Sequence, residues 1–230
     1  MNSYLCSRMS ATNNLKGTQS AVVAGERLEL HPFRAAYWEA QGALLIADLH
    51  LGKVAHFRRN GIPAPMAASG ANWDRLISLF LDFQPQRVLF LGDLFHSSHN
   101  QEWLEFSQLM ARFSEIRFEL ILGNHDILPE EDYHQANLTL HREPLAVAPF
   151  LFSHHPLTMA SDGFYNLAGH IHPCVLLKGN GRQRARLPCF YFGRLQGILP
   201  AFGVFTGMGR IAPEADSQVF VIADEAVIRL

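Results

Sequence analysis

The sequence ALLIADLH at residues 43–50 ends a run of apolar residues with an aspartate and a histidine. Two later runs follow the same pattern, RVLFLGD at residues 87–93 and FELILGN at residues 118–124. Short continuous apolar runs that stop at Gly, Asp or Asn are typical of buried strands followed by loops. We therefore predict three buried strands whose carboxyl ends carry functional loops.

Two amphipathic stretches separate these strands and predict helices. Apolar residues recur at helical spacing in residues 71–83 and again in residues 101–113, as expected for helices that bury one face. The resulting order of strand, helix, strand, helix, strand favours a right-handed parallel unit. Ligand sites in such units lie beyond the carboxyl ends of the strands, where the polar residues of the three runs are located.

After Pro129 the pattern changes to short apolar runs separated by Gly and Pro, which predict mostly strands. These runs cover residues 137–141, 145–153, 165–168, 175–178, 187–192 and 219–223. The sequence shows no internal repeat and no interdomain linker, so we predict one domain at residues 21–230 with two sheets around one core. Residues 1–20 are predicted as a flexible leader, and KGNGRQRAR at residues 178–186 as a flexible loop.

Composition restricts the class of protein. The 230 residues are 48% hydrophobic with a formal charge of -2, which allows a large core and excludes a uniformly basic nucleic-acid-binding protein. Three cysteines without CxxC spacing indicate a reduced compartment rather than a disulfide framework. The sequence contains neither a signal-peptide core nor an apolar run long enough for a bilayer. We therefore expect a cytoplasmic protein without membrane contact, whose oligomeric state stays open.

Several of the twelve histidines lie beside Asp, Asn or Gly at the ends of the apolar runs. Asp48 and His50 form a DxH pair, Asp93 and His96 lie in GDLFH, and Asn124, His125 and Asp126 form GNHD. A carboxylate can bridge two cations, and amide oxygens and imidazoles are metal ligands. Each motif alone is also compatible with an ordinary turn or helix cap.

Two further motifs follow, SHHP at residues 153–156 and GHIHP at residues 169–173. If the second segment is extended, His170 and His172 lie on the same side and can serve two ions about 3.5 to 4 Å apart. The joint occurrence of all five motifs in this order predicts a binuclear metal site.

This order of motifs resembles the calcineurin-like metallophosphoesterase superfamily over most of the chain. The resemblance implies an α/β fold, a four-layer sandwich of two mixed β-sheets flanked by helices. It also implies one metal ion held by Asp48, His50, Asp93 and His172, and a second held by Asp93, Asn124, His154 and His170, so that Asp93 is the bridge. Because His154 and His155 point opposite ways on an extended strand, only one is expected to be a ligand. His154, which ends the strand, is preferred, and His155 is the alternative.

The predicted chemistry follows from charge. Two divalent ions facing two carboxylates leave a positive centre that favours a phosphate oxyanion and makes hydroxide from a bridging water at neutral pH. His125, oriented by Asp126, is our candidate for protonating the leaving oxygen, and His96 for contacting the phosphoryl group. At the position of His96, purple acid phosphatases have a metal-ligating tyrosine, whereas Mre11-like nucleases have GDLFH. We therefore expect Mn²⁺-type ions.

A closer resemblance is to the bacterial ligase-associated DNA-damage-response phosphoesterases (PdeM). It is carried by ADLHLGK at residues 47–53, FRRNGIP at 57–63, GDLFHS, GHIHP, LPAFG at 199–203 and FTG at 205–207. The resemblance implies a phosphodiesterase or DNA endonuclease acting beside a DNA ligase, a helicase and an exonuclease. Arg58 and Arg59 are candidate substrate contacts, with a solvated loop end as the alternative.

Charge distribution adds an independent indication for a nucleic-acid substrate, either single-stranded or structured DNA. No Asp or Glu occurs between Asp162 and Glu214, whereas this segment is rich in Arg. Arg182, Arg184 and Arg186 are candidate contacts to the phosphates beside the scissile one, although a solvated hairpin explains the same charges.

Two other functions remain open. The first is a nucleotide or sugar pyrophosphatase, or a cyclic phosphodiesterase, of the same superfamily. The second, of another class, is a metal-binding DNA repair subunit without catalysis, against which the intact GNHD motif argues.

Overall fold

A seven-stranded sheet contains the three strands predicted first. The computed structural model describes residues 15–53, 67–96, 100–142, 144–158, 163–179 and 183–230, with the backbone alone at 67–69. The strands follow one another in the sheet in chain order. They are β1 (Gln19–Val23), β2 (Glu26–His31), β3 (Ala35–Trp38), β4 (Ala43–Ile46), β5 (Arg87–Leu91), β6 (Arg117–Ile121) and β7 (Leu138–His141).

Strands β4 to β7 are parallel, as predicted for β4, β5 and β6, whereas β1 to β4 form an antiparallel meander. Strands β1, β2 and β3 of this meander were not predicted, because β1 and β2 contain polar residues and β3 is only four residues long. Residues 1–14 of the predicted leader lie outside the described residues, and β1 begins at Gln19.

Three described helices cover one face of this sheet. They are α1 (Ala67–Phe83), α2 (Gln101–Arg112) and α3 (Glu130–Gln135). Helix α1 begins four residues before the predicted start, and α2 matches its prediction to one residue. Asn100 determines the start of α2, because its side-chain oxygen accepts hydrogen bonds from the amides of Glu102 and Trp103. Apolar residues of all three helices share a core with β4, β5, β6 and β7.

The second half of the chain forms a second mixed sheet. Its strands are β8 (Leu145–Val147), β9 (Phe150–Ser153), β10 (Tyr165–Ala168), β11 (Pro173–Lys178), β12 (Arg184–Phe192), β13 (Gln196–Ile198), β14 (Gly209–Arg210), β15 (Gln218–Ala223) and β16 (Ala226–Arg229). The predicted run 145–153 is two antiparallel strands, β8 and β9, joined by a turn. The segment 178–186 is mainly the end of the β11–β12 hairpin, with residues 180–182 outside the described part.

The two sheets pack face to face around a shared apolar core. Leu45, Leu89 and Ile121 of the first sheet and Phe152 and Phe190 of the second belong to this core. The predicted architecture of two mixed sheets with helices is therefore confirmed. No helix in the described part of the chain is long and apolar enough to cross a membrane.

Candidate metal centre

The motif loops meet where strands of both sheets end. Asp48 follows β4, Asp93 follows β5 and Asn124 follows β6, while His154 and His170 follow β9 and β10. The carboxyl ends of parallel neighbouring strands lie at one edge of a sheet, so the parallel pairs β4–β5–β6 and β9–β10 bring these loops together.

Backbone strain is concentrated at this edge. Five of the ten non-glycine residues described with positive φ belong to the motif loops: Asp48, His50, Asp93, His170 and His172. Such conformations cost free energy and persist where the surrounding structure enforces them, often at functional sites. The positive φ values also show that residues 170–172 are not extended. The prediction that His170 and His172 lie on the same side of an extended segment was therefore wrong.

Asp93 lies between two groups of side chains. His50 Nε2 is 3.7 Å from Asp93 Oδ2, and His154 Nε2 is 3.5 Å from Asp93 Oδ1. On the Oδ2 side, His172 Nε2 lies 3.4 Å from both His50 Nε2 and Asp48 Oδ1. On the Oδ1 side, His154 Nε2 lies 3.0 Å from Asn124 Oδ1 and 3.1 Å from His170 Nδ1. His170 and His172 therefore serve different groups although only one residue separates them.

Backbone carbonyls determine the tautomers of two of these histidines. His154 Nδ1 donates to the carbonyl oxygen of Leu91 at 3.0 Å, and His172 Nδ1 donates to that of Gly207 at 3.1 Å. Because a carbonyl oxygen only accepts, each Nδ1 carries the proton and each Nε2 presents a lone pair to the centre. This arrangement is typical of metal-ligating histidines.

The lone pairs of these Nε2 atoms face other hydrogen-bond acceptors, as expected where a cation binds between them. His154 Nε2 faces the oxygen of Asn124, and Asp48 Oδ1 is fully buried without a hydrogen-bond partner. Burial lowers the pKa of His50 to about 2, and the nearby charge of Lys53 acts in the same direction. Neutral imidazoles and converging acceptors of this kind repel one another unless a cation lies between them. The residues therefore fit a metal site, and several groups of them lie within coordination reach of one ion.

Comparisons with known proteins agree with this geometry. Residues 43–193 match the family described as calcineurin-like phosphoesterase. The chain belongs to this family. The crystal structure of the Pseudomonas putida nuclease MPE is similar to it, at 30% identity and TM-score 0.79, covering 93% of this chain and 100% of that chain.

The phosphoesterase Yfce from E. coli also matches, at 13% identity and TM-score 0.42, over 82% of this chain and 97% of that chain. No curated protein sequence matches. The family match and the similarity to the Pseudomonas putida nuclease confirm the predicted superfamily and the prediction of a phosphoester hydrolase. Calcineurin-like phosphoesterases bind divalent metal ions, and the residue groups at the strand ends are candidates to hold them.

The histidines predicted for catalysis lie at the calcineurin-like centre. The rings of His125 and His96 are 3.9 Å apart, and both are within 6 Å of the His50 ring, at 5.7 and 5.4 Å. The amide of His125 donates to Asp93 Oδ1 at 2.9 Å, which ties the GNHD loop to the centre.

Asp126 has a different environment from the one predicted. Its Oδ2 accepts from the amide of Gly123 at 2.8 Å, and its Oδ1 accepts from that of Phe95 at 3.1 Å. Burial raises the pKa of this carboxyl to about 7, although the two amide hydrogen bonds act in the opposite direction. Since both oxygens bind backbone amides, Asp126 connects the GNHD and GDLFH loops, and the predicted orientation of His125 by Asp126 is not supported.

His155 lies closer to the centre than the strand argument predicted. The peptide bends after Ser153, and the His155 ring is 4.6 Å from that of His154 and 4.1 Å from that of His170. The two adjacent histidines therefore do not point opposite ways. Only His154 is buried and held by a backbone carbonyl, whereas His155 is exposed, which favours His154 as the ligand.

The predicted substrate contacts are only partly described. Arg58, Arg59 and Arg182 lie outside the described residues. Arg184 and Arg186 are exposed on β12, with Arg184 opposite Lys178 on β11. Arg210 lies opposite Cys174, which shares the face of Lys178 by the alternation of side chains along β11. We call Lys178, Arg184, Arg186 and Arg210 the basic face.

Some groups that surround the centre were missed in the sequence, namely those of Leu91, Gly207 and Lys53, whereas Gly92 belongs to the GDLFH motif already identified. Gly92 has a left-handed φ of 78°, and any Cβ there would overlap the His154 ring, so the centre requires glycine. Leu91 and Gly207 contribute only carbonyl groups, which no residue type reveals. Lys53 is the last residue of the ADLHLGK motif and lies beside the centre. Its position in that motif could have identified it as a residue of the site.

Proposed function

We propose that this protein is a phosphodiesterase dependent on two divalent ions, with Mn²⁺ as the physiological type, and that it is a DNA endonuclease. The observation that carries the proposal is the position of Asp93, whose two carboxylate oxygens face two separate groups of candidate ligands. A carboxylate between two ligand groups is the arrangement of two-metal phosphoesterases.

One ion would be held by Asp48, His50, Asp93 and His172, and the other by Asp93, Asn124, His154 and His170. When bound, such ions neutralise charge developing on a phosphoryl group and activate water for attack. His125 is the candidate to donate a proton to the leaving oxygen, because its half-buried ring lies against that of His96 near His50. His96 would contact the phosphoryl oxygens from the same side.

The basic face supports DNA as the substrate. Strand β11 begins at Pro173, directly after His172, and its basic residue Lys178 lies at the far end of the strand, about 17 Å away. Alternate side chains along a strand share one face. The face of β12 that carries Arg184 and Arg186 continues into the core between the two sheets. The basic face therefore lies on the side of the second sheet that faces the first sheet. It extends outward from the centre, along the path that the phosphates of a bound DNA strand would follow.

The similar protein from Pseudomonas putida is a nuclease, which agrees with this substrate. From the resemblance to ligase-associated phosphoesterases, we extend the proposal to DNA repair in the cytoplasm, beside a DNA ligase, a helicase and an exonuclease. The DNA would be single-stranded or structured.

Hydrolysis of an aryl phosphodiester, an aryl phosphomonoester, a nucleoside pyrophosphate and DNA by Mn²⁺-loaded protein tests the proposal. We expect diester and DNA cleavage by the wild type and a loss of about a hundredfold or more in His125→Ala. His134→Ala, which removes an exposed histidine on α3, should retain full activity. Hydrolysis confined to pyrophosphates would favour the second superfamily function. Mn²⁺ and DNA binding without any turnover would favour the repair subunit.

A charge-matched pair of variants tests the basic face. Arg184→Gln/Arg186→Gln should weaken DNA cleavage while leaving hydrolysis of the aryl diester unchanged. Arg112→Gln/Arg229→Gln removes two exposed charges elsewhere and should change neither. Equal losses on DNA and on the small diester in the first variant would contradict a role in DNA binding.

A further inference from the structure

Two partly buried arginines near the edge of the first sheet have no acidic partner. Arg34 lies in the turn between β2 and β3, and Arg75 lies on α1 with its guanidinium 5.5 Å from the centre of the Phe33 ring. Among the described residues, no carboxylate lies within 4.0 Å of either guanidinium. Residues 54–66, which precede α1 outside the described part, contain no Asp or Glu. The two positive charges therefore lack a counter-charge from the part of the chain that the structure describes.

One nitrogen of Arg75 is shielded from water and still lacks an acceptor. Its Nη1 is buried without a hydrogen-bond partner, and the other guanidinium nitrogens form no hydrogen bond to the described residues. A buried N–H without an acceptor is destabilising, and folded proteins retain few such groups. The unpaired Nη1 therefore indicates an acceptor that comes from a bound molecule.

The charge of Arg75 acts on the neighbouring basic groups. Burial, and then the charge of Arg75, lower the pKa of Arg34 to about 10 and the pKa of His31 to about 4. The two guanidinium groups are therefore close enough to repel each other. An anion bound between them would remove this repulsion and supply acceptors to both.

Arg34 is held in place by its backbone and by one of its nitrogens. Its φ of 65° is left-handed, a conformation that costs free energy in a residue other than glycine. Its Nη1 donates to the carbonyl oxygens of Ala201 and Gly203, at 3.1 and 3.3 Å. Its Nε and Nη2 form no hydrogen bond to the described residues and are not buried. This open edge of a fixed guanidinium has the two parallel donors that bind a phosphate.

The segment of residues 201–203 lies between Arg34 and the metal centre. Arg34 binds it from one side, and on the other side the amide of Gly203 donates to the carbonyl oxygen of Asp48 at 3.2 Å. Arg34 is therefore about 10 Å from the Asp48 backbone, which corresponds to two strand spacings. Helix α1, with Arg75, and the second sheet, with the basic face, cover opposite faces of the first sheet. The two arginines and the basic face thus flank the centre on different sides.

We propose that Arg34 and Arg75 form a binding site for a phosphate of the DNA strand at a distance from the scissile phosphate. The proposal rests on the proposed endonuclease function and adds a second phosphate-binding surface to it. A phosphodiester has two free oxygens, which can accept from the open edge of Arg34 and from the unpaired Nη1 of Arg75. A strand with its scissile phosphate at the metal ions and one flank on the basic face would extend its other flank to this site.

Arg75→Met, Arg75→Lys and the control Arg112→Met test the site by DNA binding. Methionine keeps the apolar contact with Phe33 and removes the charge, and Arg112 is an exposed arginine at the end of α2. Arg34 is left unchanged because it also holds residues 201–203. In the His125→Ala background with Mn²⁺, Arg75→Met should reduce the slope of log affinity against log salt for a single-stranded oligonucleotide by about 0.7, the value for one phosphate contact. Arg75→Lys and Arg112→Met should keep the full slope.

The same variants in the catalytically active protein separate the two kinds of substrate. An aryl diester has no second phosphate, so Arg75→Met should lower the ratio of kcat/KM for the oligonucleotide to kcat/KM for the aryl diester about tenfold, as the loss of a charged hydrogen bond does. Arg112→Met should leave this ratio as in wild type.

Thermal unfolding in EDTA tests the anion site without metal and without DNA, with inorganic phosphate as the probe. Without phosphate, Arg75→Met should be at least as stable as wild type, because it removes an unpaired N–H and the repulsion with Arg34. Adding phosphate at ten times its dissociation constant should raise the Tm of the wild type by about 3 °C more than that of Arg75→Met. If Arg75 serves only to pack on Phe33, the variant is less stable at every phosphate concentration, and the proposal is wrong.

The outcomes separate this proposal from the proposed function. If the wild type neither binds nor cleaves DNA, the endonuclease function fails, and stabilisation by phosphate through Arg75 would then assign the site to free phosphate. If the wild type cleaves DNA and Arg75→Met keeps both the salt slope and the stabilisation by phosphate, the site is wrong. Loss of the stabilisation by phosphate with an unchanged salt slope would show that the site binds phosphate but not DNA, which also overturns the proposal.

Discussion

His172 Nδ1 donates to the carbonyl oxygen of Gly207 across 3.1 Å, and this contact is one of several that couple the candidate metal centre to a loop distant in the chain. The loop begins where Phe202 and Gly203 donate to the carbonyl oxygens of Ala47 and Asp48. A backbone group that orients a metal-ligating imidazole influences metal affinity as a ligand does, because it determines where the lone pair points.

Asn72→Ala tests this coupling. Asn72 is buried on α1 and accepts from the amide of Val204 at 3.2 Å, so its removal takes away one of the contacts that hold the loop ending at Gly207. We expect Mn²⁺ affinity to fall about tenfold, within the range known for residues that orient ligands, with a loss of stability of about 1 to 2 kcal/mol. Titration calorimetry and urea unfolding measure the two effects. The same stability loss with unchanged Mn²⁺ affinity would show that the loop does not orient His172.

Asp48→Asn should have opposite effects on the metal-free and metal-loaded protein. Asp48 Oδ2 accepts from the amide of His170 at 2.8 Å, whereas Oδ1 is buried, unpaired and 3.4 Å from the acceptor nitrogen of His172. An asparagine amide in that position keeps the first hydrogen bond and donates to His172. We therefore expect metal-free Asp48→Asn to be more stable by about 1 to 2 kcal/mol, while Mn²⁺ no longer stabilises it.

Thermal unfolding with EDTA and with Mn²⁺ measures both effects. Asp74→Asn, an exposed position on α1, is the control and should respond to Mn²⁺ as wild type does. A metal-free Asp48→Asn protein less stable than wild type would contradict the view that this carboxylate is maintained for a cation at a cost in stability.

The sequence indicated the loops of the candidate site more clearly than the turns outside it, for a physical reason. The candidate ligands Asp48, Asp93 and Asn124 follow buried strands, so an apolar run and the polar residue after it indicate both a strand and a candidate site. The hairpin of β8 and β9 could not be separated in residues 145–153, because both strands are apolar and only a short turn divides them. The bend that brings His155 to His170 contains a local hydrogen bond from the Ser153 hydroxyl to the carbonyl oxygen of His155, which the alternation expected for an extended strand did not take into account.

Lowering the pH should destabilise the metal-free protein partly through His31. Burial, and then the charge of Arg75, lower the pKa of His31 from 6.5 to about 4, and its Nδ1 accepts from the amide of Phe33 at 3.0 Å. Because the native state keeps this imidazole neutral while the unfolded chain takes up a proton, its stabilisation is complete above pH 6.5. It is lost as the pH falls toward 4, by up to about 3 kcal/mol.

His31→Asn isolates this effect, since an asparagine oxygen can accept from Phe33 without titrating. Urea unfolding in EDTA between pH 7 and pH 4.5 should give a flatter curve for the variant than for wild type. The other histidines titrate in both proteins and cancel in the difference. Parallel curves would show that His31 does not contribute to the acid sensitivity.

Glu119 on β6 contacts the buried Arg87, the exposed Arg117 and the partly buried His141, and its removal should be among the most destabilising changes away from the candidate metal centre. Arg87 Nε and Arg117 Nε lie 2.6 and 3.1 Å from Glu119 Oε1, and His141 Nε2 lies 2.8 Å from Oε2. Arg87 is itself buried. In Glu119→Leu it would remain as an uncompensated charge, at a cost of about 3 to 5 kcal/mol.

The double variant Glu119→Leu/Arg87→Met removes both buried charges and should be more stable than Glu119→Leu alone, because burying the isolated guanidinium is the larger cost. Urea unfolding of the wild type, the two single variants and the double variant gives the coupling free energy between the pair. Additive losses would mean that Arg87 reaches water once Glu119 is gone, so that the pair contributes no more than a surface ion pair does.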